Sequence, residues 1–292
     1  MRKIKTITSL LLFVSILVSI SIINASAVTS YDDFELEYNA TTKSYTVVNY
    51  VGNSKNVTIP EKVYGRYITK IGKNAFSKNA NVETVEIPYL VDSIDEYAFS
   101  ECTSLKEITI PTFTRTINQY AFFGCTSLKN VTFNNKITAI NDSVFQNCSS
   151  LTNVVLPLKV EKIGSNAFAN CKGLESIKIG NKVSSISTDA FRGCSDKLKI
   201  VANDDSYAKQ FAIENNIAFE EIPPLIGDVN NDGVVDVKDA VYVQRCVNFE
   251  EKYDIPSDTL IFRRADVNYD GKINITDATL IQKFSMHMID KF

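Results

Sequence analysis

The chain has 292 residues, 45% of them hydrophobic, with 31 basic and 34 acidic side chains and a formal net charge of −3. This length accommodates two or three domains, and so even a charge balance gives no electrostatic footprint for nucleic acid. A single histidine and the absence of tryptophan narrow the options for acid–base catalysis near neutral pH and remove the best sugar-stacking surface.

Residues 1–27 read as a secretory signal peptide. Arg2, Lys3 and Lys5 form the charged start, Leu10 to Ile23 the apolar stretch, and Ala25-Ser26-Ala27 a small-residue cleavage site. An uncleaved membrane anchor is the alternative, because the apolar stretch is long for a signal. Cleavage removes three positive charges and no negative one, so the net charge goes from −3 to −6. No second apolar stretch can span a bilayer, so no membrane span is expected after cleavage.

Residues 28–70 are predicted as an N-terminal cap. Phe34 to Tyr38 and Tyr45 to Tyr50 alternate as strands of a hairpin around Asn39 to Lys43, and Val57-Thr-Ile-Pro60 reads as an early repeat strand.

Residues 71–200 are periodic. Ile71, Ile94, Ile117, Ile140, Ile163 and Ile186 recur every 23 residues, as do Phe76, Phe99, Phe122, Phe145, Phe168 and Phe191. Each unit reads I-x-x-x-A-F-x-x-C-x-x-L-x-x-I-x-I-P, with Asn79 in place of the first cysteine and Val144 in place of one alanine. Leu-x-x-Ile-x-Ile puts its last two apolar residues on one face of a short strand. Ala-Phe, with an isoleucine four or five residues earlier, predicts a compact helical or 3₁₀ turn covering the other side. One unit cannot bury its own apolar face, whereas stacked units can, so the pattern predicts a solenoid. Cys102, Cys125, Cys148, Cys171 and Cys194 share the 23-residue spacing, which predicts a ladder of buried thiols and not a disulfide framework. The repeat is leucine-rich-repeat-like, and in detail it resembles the BspA-like repeats of bacterial surface proteins. The fold class expected is therefore an α/β leucine-rich-repeat solenoid with 23-residue repeats.

The outward strand positions, Glu86, Thr109, Thr132, Val155 and Lys178, form a mostly polar stripe. Tyr89, Leu90, Phe113 and Leu158 come just after the strands and are the candidate ligand rim; packing against the next coil is the alternative for some of them. A C-terminal cap is expected over 201–222, with Ser206 capping a helix that reaches Asn216 and a closing strand from Ile217 to Ile222. Residues 223–227 are a short linker, and Pro223-Pro224 argues against a long helix leading into the C-terminal segment.

Residues 228–292 carry two copies of a calcium-loop pattern offset by 38 residues. In the first, Asp228, Asn230 and Asp232 take positions 1, 3 and 5, Val234 offers its carbonyl at position 7, and Asp236 and Asp239 take positions 9 and 12. In the second, the same places hold Asp266, Asn268, Asp270, Lys272, Asn274 and Asp277. Gly233 and Gly271 stand at position 6, where the chain must turn sharply. A hard cation needs six or more oxygens converging from a short segment, and this alternation supplies them twice, so two Ca²⁺ sites are predicted.

A short helical segment comes after each loop: Ala240 to Cys246 aligns with Ala278 to Phe284. With no entering helix and Asp in place of Glu at position 12, the module resembles a type I dockerin, which docks onto a cohesin in cellulosomes. The resemblance implies a small all-α module, a cohesin of a scaffoldin as partner, and a secreted protein held at the cell surface or cellulosome. It also implies that cohesin contacts come from loop positions 10 and 11 and the helix after them. Here these are Val237, Lys238, Gln244 and Arg245, then Ile275, Thr276, Gln282 and Lys283. Many type I dockerins carry hydroxyl pairs at positions 10 and 11. Val-Lys and Ile-Thr depart from that, which leaves open the cohesin class and a symmetric two-way binding mode.

No Ser-His-Asp set, H-E-x-x-H motif or phosphate-cradling glycine loop is present, and His287 lies near the end of the last helix. The expectation is a non-catalytic protein whose solenoid recognises a protein or glycan. A surface adhesin, or a tethered hydrolase or inhibitor, is the alternative.

Overall fold

The computed structural model describes residues 29–223, 225–230, 233–248 and 260–292. The expected signal peptide and Pro224 of the linker lie outside these residues, as does Asp232 of the first loop.

Residues 56–221 wind into a parallel β-solenoid. In each coil, the stretch predicted as a strand is one: Thr84–Glu86, Glu107–Thr109 and Asn130–Thr132 pair in parallel with each other and with Asn56–Thr58. Asn153–Val155, Ser176–Lys178, Lys199–Ala202 and Ala218–Glu221 form a second such sheet. The ladder breaks between Thr132 and Asn153, at the coil where Phe133 and Asn134 replace the usual Ile-Pro. Phe133 there stands edge-on to Phe145, centroids 5.9 Å apart.

Two details differ from the sequence pattern. The isoleucines read together with the turn instead lie in a second ladder of short parallel strands, as in Ser93–Ile94 on Thr116–Ile117 and Lys162–Ile163 on Ser185–Ile186. The Ala-Phe segment is a run of turns and not a helix. Alternate N–H groups explain why. Ala98, Ser100 and Cys102 donate three residues back within their own coil, to Asp95, Tyr97 and Phe99. Phe99 and Glu101 donate instead to Ala121 and Phe123 of the next coil, at 2.8 and 2.6 Å. A 3₁₀ turn would spend every N–H internally and leave the coils joined there by side chains alone. The alternation requires left-handed residues, among them Tyr97 (φ 58°) and Glu101 (φ 59°), and Gly124 fills the latter place one coil on (φ 70°).

The core is a column of rings. Phe76, Phe99, Phe122, Phe145, Phe168 and Phe191 stack at 4.9–5.7 Å, with Tyr50 closing one end at 5.1 Å and Phe211 the other at 6.0 Å. Tyr50 comes from the N-terminal hairpin, Phe34–Asn39 antiparallel to Ser44–Tyr50, which joins the solenoid through Arg66–Ile71. Phe211 comes from α1 (Tyr207–Glu214), whose N-cap Ser206 accepts the Lys209 N–H. Each buried ring contributes about 1.5–3 kcal/mol.

All six cysteines are free thiols. Cys102, Cys125, Cys148, Cys171 and Cys194 each donate Sγ–H to the carbonyl of the phenylalanine 26 residues earlier, at 3.1–3.2 Å. Burial pushes Cys102, Cys148 and Cys171 far above the ordinary thiol range, and takes the half-buried Cys194 to about 11. Thiolate is the reactive form. The folded chain is therefore expected to resist alkylation, and reductant should leave its stability unchanged. Intact mass after alkylation in denaturant should count free thiols at the five ladder positions; disulfides there would contradict the ladder.

Candidate functional site

The C-terminal module is built from α2 (Val237–Asn248), the short α3 (Leu260–Ala265) and α4 (Ile275–Ser285). Its core repeats with the 38-residue offset: Val229, Ala240 and Val243 of one half meet Val267, Ala278 and Ile281 of the other. Phe292 stacks on Phe284 at 4.8 Å and closes over Gly227, so the two ends of the module meet.

The loops fold as the glycine positions demand. Gly233 (φ 86°) and Gly271 (φ 79°) turn left-handed, and each donates its N–H to the first-position carboxylate, Asp228 or Asp266, at 2.9 Å. In the second loop Asp270 donates its N–H to Asp266 and Asn268, and Lys272 donates to Asp270. The position-12 carboxylates are fully buried. Asp239 accepts from Val229, Asn230 and Asp236 N–H; Asp277 accepts from Val267 and Asn274 N–H. They therefore clamp each loop onto the start of its helix. Asn274 also caps α4, accepting the Thr276 N–H at 2.7 Å, while Asp236 pairs with Lys238, whose hydrogen bond holds the carboxyl below its usual range.

Among the described residues no group of three or more His, Cys, Asp or Glu side chains converges as a metal site. The donor chemistry nevertheless fits a hard cation. The loops offer oxygen alone, and Asp228, Asp239, Asp266 and Asp277 are all buried. Burial, with a further push from the neighbouring charge of Asp266, raises the Asp277 carboxyl above its ordinary value. Bound calcium would supply the positive charge that these carboxylates need. The residues that would hold it are Asp228, Asn230, Asp236 and Asp239 with the Val234 carbonyl, and Asp266, Asn268, Asp270, Asn274 and Asp277 with the Lys272 carbonyl.

The sequence-predicted partner residues split by burial. Val237, Lys238 and Arg245 are exposed on α2, and Ile275, Thr276 and Lys283 on α4; Gln244 and Gln282 are half-buried. The positions that complete each face are Val241 and Thr279. They lie four residues beyond Val237 and Ile275, a helical spacing that could have located them from sequence. The Val237 and Val241 side chains border a shallow depression with Asn230, Tyr242 and Arg245.

The candidate rim of the solenoid also divides. Tyr89 and Phe113 meet edge-on at 6.2 Å, with the Lys136 ammonium 3.9 Å above the Phe113 ring. Leu90 is half-buried. Leu158 lies against Gly233 of the first loop, so close that a Cβ on that glycine would come within 2.6 Å of it.

Residues 69–197 match the model of the BspA type leucine rich repeat region, in six copies, and residues 226–284 match the dockerin type I domain. No curated protein sequence matches the chain. Among solved structures, the chain is similar to a leucine rich repeat protein of T. pallidum at 24% identity and TM-score 0.44, over 60% of this chain and 71% of that one. It is also similar to a leucine rich cell surface protein of Faecalibacterium prausnitzii, at 26% identity and TM-score 0.48, over 61% of this chain and 55% of that one. A leucine-rich repeat protein of Bacteroides capillosus matches at 23% identity and TM-score 0.35, over 55% and 97% of the two chains. No helix among the described residues is long and apolar enough to cross a membrane.

Proposed function

We propose, for a chain that carries BspA-type leucine-rich repeats and then a type I dockerin domain, that it is an exported, non-catalytic recognition protein held on a scaffold by its dockerin. The solenoid presents a polar strand face and an aromatic rim to a protein or glycan. The C-terminal module docks, in calcium, onto a cohesin of a scaffoldin at the cell surface or in a cellulosome.

The observation that supports this best is the pair of equivalent exposed faces on α2 and α4. Val237, Lys238, Val241 and Arg245 on one match Ile275, Thr276, Thr279 and Lys283 on the other. On α2 the aliphatic Val237 and Val241 stand with Lys238 and Arg245, and on α4 Ile275 stands with two threonines and Lys283. An apolar centre with a polar and cationic edge suits a docking surface with a desolvated middle. The α2 face is the more apolar, Val241 standing where α4 has Thr279. One half is therefore expected to dominate for a given cohesin.

The test is a pull-down from the surface proteins of the source organism with the full chain, in calcium and in chelator. A cohesin-bearing protein should be recovered in calcium only. Replacing Val237 and Val241 together by Ser should weaken capture about tenfold or more while calcium binding persists. Recovery of no cohesin-bearing protein in calcium, or capture indifferent to chelator, would count decisively against the assembly.

A further inference from the structure

The solenoid and the dockerin enclose a cleft of about 570 Å³, beginning at the break in the strand ladder and ending at the first calcium loop. Its volume falls in the range of roughly 300–1,000 Å³ usual for small-molecule sites. Val155 and Leu158, both exposed, supply an apolar wall, Asn181 and Asn203 line it with amides, and Lys178 brings a cation. From the dockerin side comes Arg264, whose side chain is the outlier of this molecule.

Arg264 is 2% exposed, yet its Nε–H has no hydrogen-bond partner among the described residues. A guanidinium is always charged and carries five donors. Burying one with a donor unmet is costly, and such an exception in a folded chain marks a place where something else supplies the acceptor. Asp228 also lines the cleft, but it belongs to the calcium loop and already accepts the Gly233 N–H. Two cations against one carboxylate leave the cleft positive.

A planar carboxylate matches a guanidinium by paired hydrogen bonds. Asparagine amides both donate and accept, which suits neighbouring hydroxyls, and an aliphatic wall suits the C–H face of a pyranose ring. We propose that this cleft binds a uronate residue of an acidic oligosaccharide. The carboxylate lies on Arg264 and Lys178, the hydroxyls on Asn181 and Asn203, and the sugar face against Val155 and Leu158. The site deepens the recognition role proposed above and rests on it, and it needs both modules.

The experiment is calorimetry on the full chain in saturating calcium, with three probes: trigalacturonate, its methyl ester, and a tripeptide with a free terminal carboxylate. Trigalacturonate should bind and the ester should not. Arg264→Met, which keeps the bulk and removes the donors, should weaken binding by about 10- to 100-fold. Asn181→Ala, on the solenoid side, should weaken it too, which keeps the test intact should Arg264→Met loosen the dockerin. No binding of trigalacturonate, or equal binding of the ester or by both variants, would overturn the proposal. Binding of the peptide in place of the sugar would overturn the saccharide assignment. Cohesin capture on the same samples tells failure of the cleft from failure of the tethered-recognition reading.

Discussion

Asp239→Ala combined with Asp277→Ala is expected to unfold the dockerin even in saturating calcium, and chelator should do the same to the unaltered chain. Asp239 accepts three backbone N–H groups and Asp277 two, all at the junction of loop and helix. Leaving a buried donor unmet costs about 1–3 kcal/mol. Five such losses amount to about 5–15 kcal/mol, comparable to or above the roughly 3–10 kcal/mol that a module of this size has in total. Calcium affinity falls as well, because both carboxylates are candidate ligands and ion binding adds directly to folding free energy. Circular dichroism should show the helical signal of α2 and α4 lost, while the β-signal of the solenoid remains, and cohesin capture should vanish. Asp239→Asn with Asp277→Asn keeps one acceptor oxygen per side chain and removes the charge. It should retain more helix at high calcium but need more calcium to do so. A helical signal unchanged in the alanine variant would sink the clamp.

Asp277 contributes one definite sign to the pH dependence of the module, opposite to that of Asp236, whose carboxyl Lys238 lowers. The Asp277 carboxyl is raised above the ordinary 3.8, so the folded state holds the proton more tightly than the unfolded one. Whatever folded dockerin persists at low calcium should therefore lose the Asp277 contribution as pH rises from about the unfolded value through the raised folded one. Calcium, which neutralises the ionised form, should remove that loss.

Phe122→Ala should produce the largest loss in the solenoid. The ring sits in mid-column between Phe99 at 5.2 Å and Phe145 at 5.5 Å and is fully buried. Truncating a buried phenylalanine costs about 3–5 kcal/mol through lost transfer energy and an unfilled cavity. For a unit of about 200 residues this lowers Tm by roughly 6–20 °C. Each coil touches only its neighbours, so a defect in the middle also separates the two halves energetically. Thermal unfolding should broaden or split into two steps, and Phe122→Leu, which refills part of the cavity, should shift it less. A Tm within about 2 °C of the parent would show that the column does not carry the stability assigned to it.

Much of the fold is legible because the 23-residue period repeats one packing problem six times. The phenylalanine, cysteine and strand isoleucine positions are core because each has the same neighbour above and below. The hairpin alternation and the Ser206 cap are legible for local reasons, strand period and N-cap chemistry. The turns were not legible as turns. Ala-Phe with a preceding isoleucine fits a helical turn equally well by spacing. Only the hydrogen bonds that Phe99 and Glu101 send to the next coil favour left-handed residues over a helix. The partner face was half legible: the loop-adjacent positions were marked by the motif, but Gln244 and Gln282 turn partly inward while Val241 and Thr279 turn out.

By itself, the sequence determined what depends on short spacings. These are the period of the solenoid, the free thiols, the oxygen-rich loops with their glycines at position 6, and the dockerin pattern. Each is a local constraint, set by which side chains a coil or loop must place on one side. What the tertiary structure alone decided depends on residues distant in the chain. Leu158 belongs to the solenoid and Gly233 to the first loop, 75 residues later, and their contact changes Leu158 from open rim to module interface. Arg264 reads in sequence as one of two arginines before a calcium loop. Its burial against a cleft walled by Val155 and Asn181 comes from how the last coils meet the dockerin, because burial belongs to the assembled surface and not to any segment of the chain.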